Sequence, residues 1–139
     1  MDQEKLIEKL VLVCLDTAEA MLENHETVIP FGIRAFKDSE DLKMNCPETE
    51  DPEANFHGQI EKIVDELKTF VVNEQIFATA LVTELQADDQ RAIGLQVETE
   101  LSSALFIYPF QKEDDKWVIK EPIETDQLLP SVYSRNWSA

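Results

Sequence analysis

The chain has 139 residues and a formal net charge of −17 at neutral pH, with 29 acidic against 12 basic side chains. Such a charge repels nucleic-acid phosphates and anionic lipid, so neither is an expected partner. A basic protein, or solubility alone, is the expected use. A hydrophobic share of 43% with 29% charged residues belongs to an ordinary globular chain, long enough to bury a core without disulfide staples.

In chain order, Leu6, Ile7, Leu10, Cys14, Thr17, Ala18, Met21 and Leu22 recur at helical spacing and predict a helix over 2–24. Leu12 and Leu15 fall among the charges of its opposite face, which marks them as a docking or dimer surface. A strand follows from 28 to 36, with Phe31, Ile33 and Ala35 on one face. Leu42, Met44 and Cys46 then alternate as a returning strand. The acidic connector 47–52 leads into a second helix over 52–73, with Asp51 as N-cap, Pro52 in the first turn and Glu53 at its positive end. Phe56, Ile60, Ile63, Val64, Leu67, Phe70 and Val71 form its apolar stripe.

The rest reads as strands at 76–85, 93–101, 104–110 and 117–120. For the first hairpin of this meander, a three-residue loop at 88–90 sets Phe77, Leu81 and Leu85 beside Leu101, Val97 and Ile93. A two- or four-residue loop instead brings Ile76, Ala80 and Val82 there. The preferred register is the first, which leaves Gly94, Gln96, Glu98 and Glu100 on a wet face. Gly94 in mid-strand predicts a bulge or a close approach. Pro109 cannot donate to a ladder, so its strand is expected at an edge or to end there. The fold class is therefore α+β, an antiparallel sheet of about six strands in the order α-β-β-α-β-β-β-β with both helices on one face. Residues 1–126 form one domain, and 127–139 a tail packed on the domain or on a partner.

No residue type in this pattern points to catalysis. Glu53, His57, Glu61 and Asp65 are spaced by four on the second helix, but their line drifts out to full exposure and reads as a solvated face rather than a metal site. Glu98 and Glu100 sit side by side among polar neighbours, where nothing raises a carboxyl pKa for acid–base work. There is no nucleophile elbow and no glycine-rich phosphate loop. Cys14 and Cys46 occupy apolar positions and read as reduced core residues. Catalytic, metal and cofactor sites are thus all assigned as none. No basic leader precedes an apolar run and no stretch reaches membrane-spanning length, which predicts a cytoplasmic protein.

Pro30-Phe31-Gly32 after the first helix, with Ile107-Tyr108-Pro109-Phe110 late in the chain, resembles a group of short bacterial proteins with a PFG strand motif. That resemblance implies no activity. Size and acidity are similar to those of toxin-neutralising immunity proteins and of type III secretion chaperones. The expected function is a non-enzymatic interaction module, in its sharpest form an immunity-type inhibitor of a basic partner, with Glu84, Glu98, Glu100, Glu48, Glu50 and Asp51 as partner-binding residues. A secretion or assembly chaperone docking through Leu12 and Leu15 is the first alternative, and an enzyme with an unrecognised site the second. A homodimer is the expected assembly.

Overall fold

Leu6, Leu10, Cys14, Ala18 and Leu22 recur every fourth residue and are all buried, and this stripe is what seats the first helix, α1 (Gln3–His25). The protein is seen in a computed structural model that describes residues 3–37, 41–45, 56–73, 75–87, 89–125 and 132. Helix α1 closes at Glu26, whose φ of 60° is left-handed and whose N–H is donated to the Leu22 carbonyl at 3.0 Å. There follow β1 (Phe31–Phe36), β2 (Leu42–Asn45), α2 (Phe56–Asn73), β3 (Ile76–Ala87), β4 (Gln90–Glu98), β5 (Ser103–Glu113), β6 (Lys116–Ile119) and β7 (Ile123–Thr125). The strands form one open antiparallel sheet in the order β2-β1-β3-β4-β5-β6, with β7 also paired to β5. The α+β class and the antiparallel sheet are as the sequence predicts. The N-cap expected at Asp51 lies outside the described residues.

The helices lie on opposite faces of the sheet, not on one. Phe31, Ile33 and Ala35 of β1, with Ala78, Ala80 and Val82 of β3, join the core built on α1. Their neighbours in the pleat point the other way, where Leu81 packs with Ile63, Val64 and Leu67 of α2. The reason is legible in β3 itself, which is apolar on both sides and so needs two covers.

The first hairpin also takes the other register. Ala87 pairs with Gln90 across a two-residue loop, which sets Ala80 opposite Val97 and Val82 opposite Leu95 on the α1 side. Gly94, Gln96 and Glu98 consequently face α2's side and are buried. Strand β4 ends at Glu98, so Leu101 sits in the turn to β5 and is 94% exposed.

Pro109 lies inside β5, paired with Ala92 of β4, rather than at an edge. Its carbonyl accepts the Lys120 N–H at 2.8 Å. A strand residue directs its nitrogen and its carbonyl to the same side, so the missing donor falls where the chain steps from β6, paired to Phe110–Glu113, to β7, paired to Leu105–Ile107. The N–H that the ring lacks is the one that would answer the Lys120 carbonyl, so the lost bond falls at this break and not between β4 and β5.

Close packing sets two glycines apart. A Cβ on Gly32 would lie 2.7 Å from Ile63 Cγ2, on a stiff β-branched side chain, and 2.9 Å from Leu67 Cδ1. On Gly94 it would meet the end of Leu85 at 2.7 Å, and that side chain swings more freely. Gly32→Ala is therefore expected to destabilise by about 1–3 kcal/mol in urea unfolding, and Gly94→Ala by less than about 1 kcal/mol.

Candidate functional site

Three regions gather polar side chains in the structure. The first is where α1 hands over to β1. Glu84 on β3 and Arg91 on β4 lie on the α1 side, and the hairpin register brings them together. Arg91 Nε donates to Glu84 Oε2 at 2.8 Å, one Arg91 terminal nitrogen donates to Glu84 Oε1 at 2.9 Å, and the same nitrogen reaches the Glu26 carbonyl at 2.7 Å. Glu84 also accepts from the Thr27 hydroxyl, the Val28 N–H and the Gln86 side chain. The Arg91 guanidinium lies 5.0 Å from the Phe110 ring centroid and 5.4 Å from that of Trp117, with Lys112 over Trp117 and 3.7 Å from Glu26.

Expected as an exposed partner-binding acid, Glu84 instead has a side chain only 2% exposed. Burial alone would raise its pKa, but the hydrogen bonds from Arg91, Gln86, Val28 and Thr27 outweigh that and hold it below the usual carboxylate value. In return, the bond to Glu84 raises the pKa of Arg91. This is a clamp that fixes the α1–β1 turn to the sheet, and it leaves no acceptor pointed at a partner.

The second region is a row across the α2 side of the sheet. Lys43, Arg34, Thr79, Glu98 and Ser103 stand directly opposite one another on β2, β1, β3, β4 and β5. The Arg34 guanidinium stacks 3.6 Å above the Phe70 ring of α2, a cation–π contact worth about 2 kcal/mol where water is excluded. Glu98 is 1% exposed, accepts the Val132 N–H at 2.8 Å and is reached by the Gln96 amide at 3.4 Å. The hydroxyl of Ser103 is buried without a hydrogen-bond partner among the described residues.

Glu98 and Glu100 therefore do not form the exposed pair that alternation predicts. Glu100 lies in the turn after β4, 3.9 Å from Lys37 and exposed. Glu84 and Glu98 face opposite sides of the sheet, so these two acids do not share a surface. Glu48, Glu50, Asp51, Glu53, Cys46 and the His57 side chain lie outside what is described. Glu61 and Asp65 line a shallow, open depression along the outer face of α2 with Gly58, Lys62, Glu66 and Thr69. Among the described residues no three histidine, cysteine or carboxylate side chains converge as a metal site would require.

The third region is the outer face of α1, where Lys5, Glu8, Lys9, Leu12, Asp16, Glu19 and Glu23 are exposed along one helical face. Leu12 is 61% exposed, whereas Leu15 is partly buried against the core and adds nothing to a docking patch. Beneath α1, burial pushes the Cys14 thiol up to about 12. It also raises the Tyr108 hydroxyl, with Cys14 nearby as a lesser cause.

Sequence reasoning missed Arg34, Arg91 and Gln96. The signal for Arg34 is a lone cation between Ile33 and Ala35 of an apolar strand. Arg91 has its own, an arginine seven residues from a glutamate across a tight turn. No known family matches this chain, and neither does any curated protein or solved structure. No described helix is long and apolar enough to cross a membrane.

Two outcomes follow from the electrostatics. Removing charge-assisted hydrogen bonds from a buried acid costs about 1.5–3 kcal/mol, so Glu84→Gln should lower stability by about 2 kcal/mol at neutral pH. Because the folded-state pKa of Glu84 is depressed, its stabilisation is present above the ordinary value of 4.5 and is lost as the pH falls further, through the folded-state value. Urea midpoints of wild type and variant should accordingly converge on acidification. The thiol of Cys14 should resist iodoacetamide in native protein at pH 8 and react once the chain is unfolded, since only the thiolate is nucleophilic.

Proposed function

We propose that this chain is a non-enzymatic, cytoplasmic interaction module that binds a basic protein partner through the outer face of α1. One observation carries the reading: an exposed leucine, Leu12, followed along the outer face by Asp16, Glu19 and Glu23, with the exposed lysines of this face, Lys5 and Lys9, gathered beside Glu8 ahead of it. Asp16 and Glu19 are three apart and Glu19 and Glu23 four apart, spacings at which like charges cost an isolated helix roughly 0.2–0.5 kcal/mol each. A helix selected for stability alone would continue past Leu12 the alternation of sign that Lys5, Glu8 and Lys9 begin. An apolar residue at the head of an acidic run suits a partner that offers lysines or arginines beside an apolar pocket, as an immunity-type inhibitor would need. Electrostatic complementarity of this kind accelerates association and makes it salt-sensitive.

A chaperone docking through Leu12 is the second reading and predicts binding that survives high salt.

The test is calorimetry with a lysine-rich amphipathic helical peptide carrying one leucine, over roughly 50 to 300 mM salt. Wild type is expected to lose at least tenfold in affinity across that range. The double variant E19K/E23K should lose at least tenfold at low salt, and L12D should weaken binding, while E61K/D65K on α2 should stay within twofold of wild type. Equal binding by E19K/E23K and wild type would remove α1 from the interface.

A further inference from the structure

The end of α1 that carries the acids is the end least able to hold itself. Glu23 lies in the last turn and Glu26 directly after it, where the negative pole of the helix dipole disfavours carboxylates. Glu19, four residues before Glu23, adds like-charge repulsion. The basic residue in that turn is His25. On its own, a helix of this sequence would fray from this end.

The sheet supplies from below what α1 lacks. Arg91 of β4 reaches past its two bonds to Glu84 and donates to the Glu26 carbonyl at 2.7 Å. Glu84 holds the other side of the turn by accepting from the Thr27 hydroxyl and the Val28 N–H. Lys112 of β5 stands 3.7 Å from the Glu26 carboxylate, but as an exposed pair it adds little. Both cations meet Glu26, and among the described residues neither Glu19 nor Glu23 has an ion-pair partner. The hold is therefore on the backbone, and it leaves the outer acids open to a partner.

We infer that Arg91, seated by Glu84, is a positioning residue of the interface proposed on α1, an inference that rests on that reading of the helix. It keeps the last turn formed, so that Glu23 meets a basic partner in helical register with Glu19. Without the hold, a partner binds only the fraction of molecules whose last turn is formed, and the apparent dissociation constant rises by the inverse of that fraction. The charges that attract the partner stay the same, so the salt dependence does too.

Calorimetry with the same lysine-rich, leucine-bearing peptide tests this in the full-length variant E84Q/R91M, which removes the hold and keeps the net charge. Affinity should fall at least threefold at every salt concentration, with the salt slope of wild type. In the free protein the Cα chemical shifts of residues 23–25 should move toward coil values while those of residues 8–14 stay in place. Glu23→Gln, which removes a charge and leaves the hold, should instead flatten the salt slope. Gly32→Ala, which loosens the fold from the α2 side, should bind within twofold of wild type; a loss there as large as in E84Q/R91M would assign the effect to general stability and overturn the inference. Wild-type affinity in E84Q/R91M, or weakened affinity with unmoved shifts, overturns it as well and leaves α1 as the interface. If the double variant does not fold, Arg91→Lys carries the same test, since an ammonium keeps the charge but cannot span Glu84 and the Glu26 carbonyl together. Absence of salt-sensitive binding by wild type would remove the interface itself, and with it the role of Arg91.

Discussion

The rest of the structure depends on the burial of β3 on both faces. A strand reading Ile-Phe-Ala-Thr-Ala-Leu-Val-Thr has no side to give to water, so it must lie inside the sheet and beneath two separate covers. The connectivity follows. Helix α1 precedes the sheet and covers one face. Helix α2, inserted between the β1–β2 hairpin and β3, covers the other. The fit differs on the two sides. Ala78 and Ala80 leave room for the broad apolar line of α1, and Gly32 lets Ile63 and Leu67 of α2 come down onto the backbone of β1.

Electrostatics here serve the fold before they serve any partner. The Glu84–Arg91 clamp consumes the one acid that β3 directs to the α1 side, and it ties the end of α1 to the hairpin between β3 and β4. Arg34 is likewise spent on Phe70 of α2. The exposed acids lie instead on the outer faces of the helices and at the turns and borders of the sheet. This division explains how a chain of charge −17 folds: the charges that repel one another most are spread over outer faces, while those inside are matched.

Both helices, six of the seven described strands and the class of the fold were legible in the sequence because they depend on local periodicity; β7, three residues long in a stretch that reads as irregular tail, was not. The hairpin register was not. Either register of β3 against β4 buries apolar side chains when both faces are covered, so hydrophobic alternation loses its power to choose. Helix placement failed for the same reason. The site residues were read from exposure, and exposure is a property of what covers a strand. Glu98 sits in a stretch with the pattern of a half-wet strand, and only the contact with Val132, 34 residues on, reveals its burial. By contrast Leu12 was correctly read as exposed, since a helix wheel needs no tertiary information beyond which side faces the core.

An open antiparallel sheet has two borders at which another strand can add itself, and such borders template aggregation unless they are blunted. At one of them β2 offers four residues, with Lys43 among them. At the other, the break between β6 and β7 divides the border into runs of four and three residues, separated by Lys120, Glu121 and Pro122. The proline that seemed out of place in β5 faces this break. Among the described residues, neither border gives a foreign strand more than four successive rungs, so the shape of the ladder adds to the chain's charge in opposing fibre-like stacking.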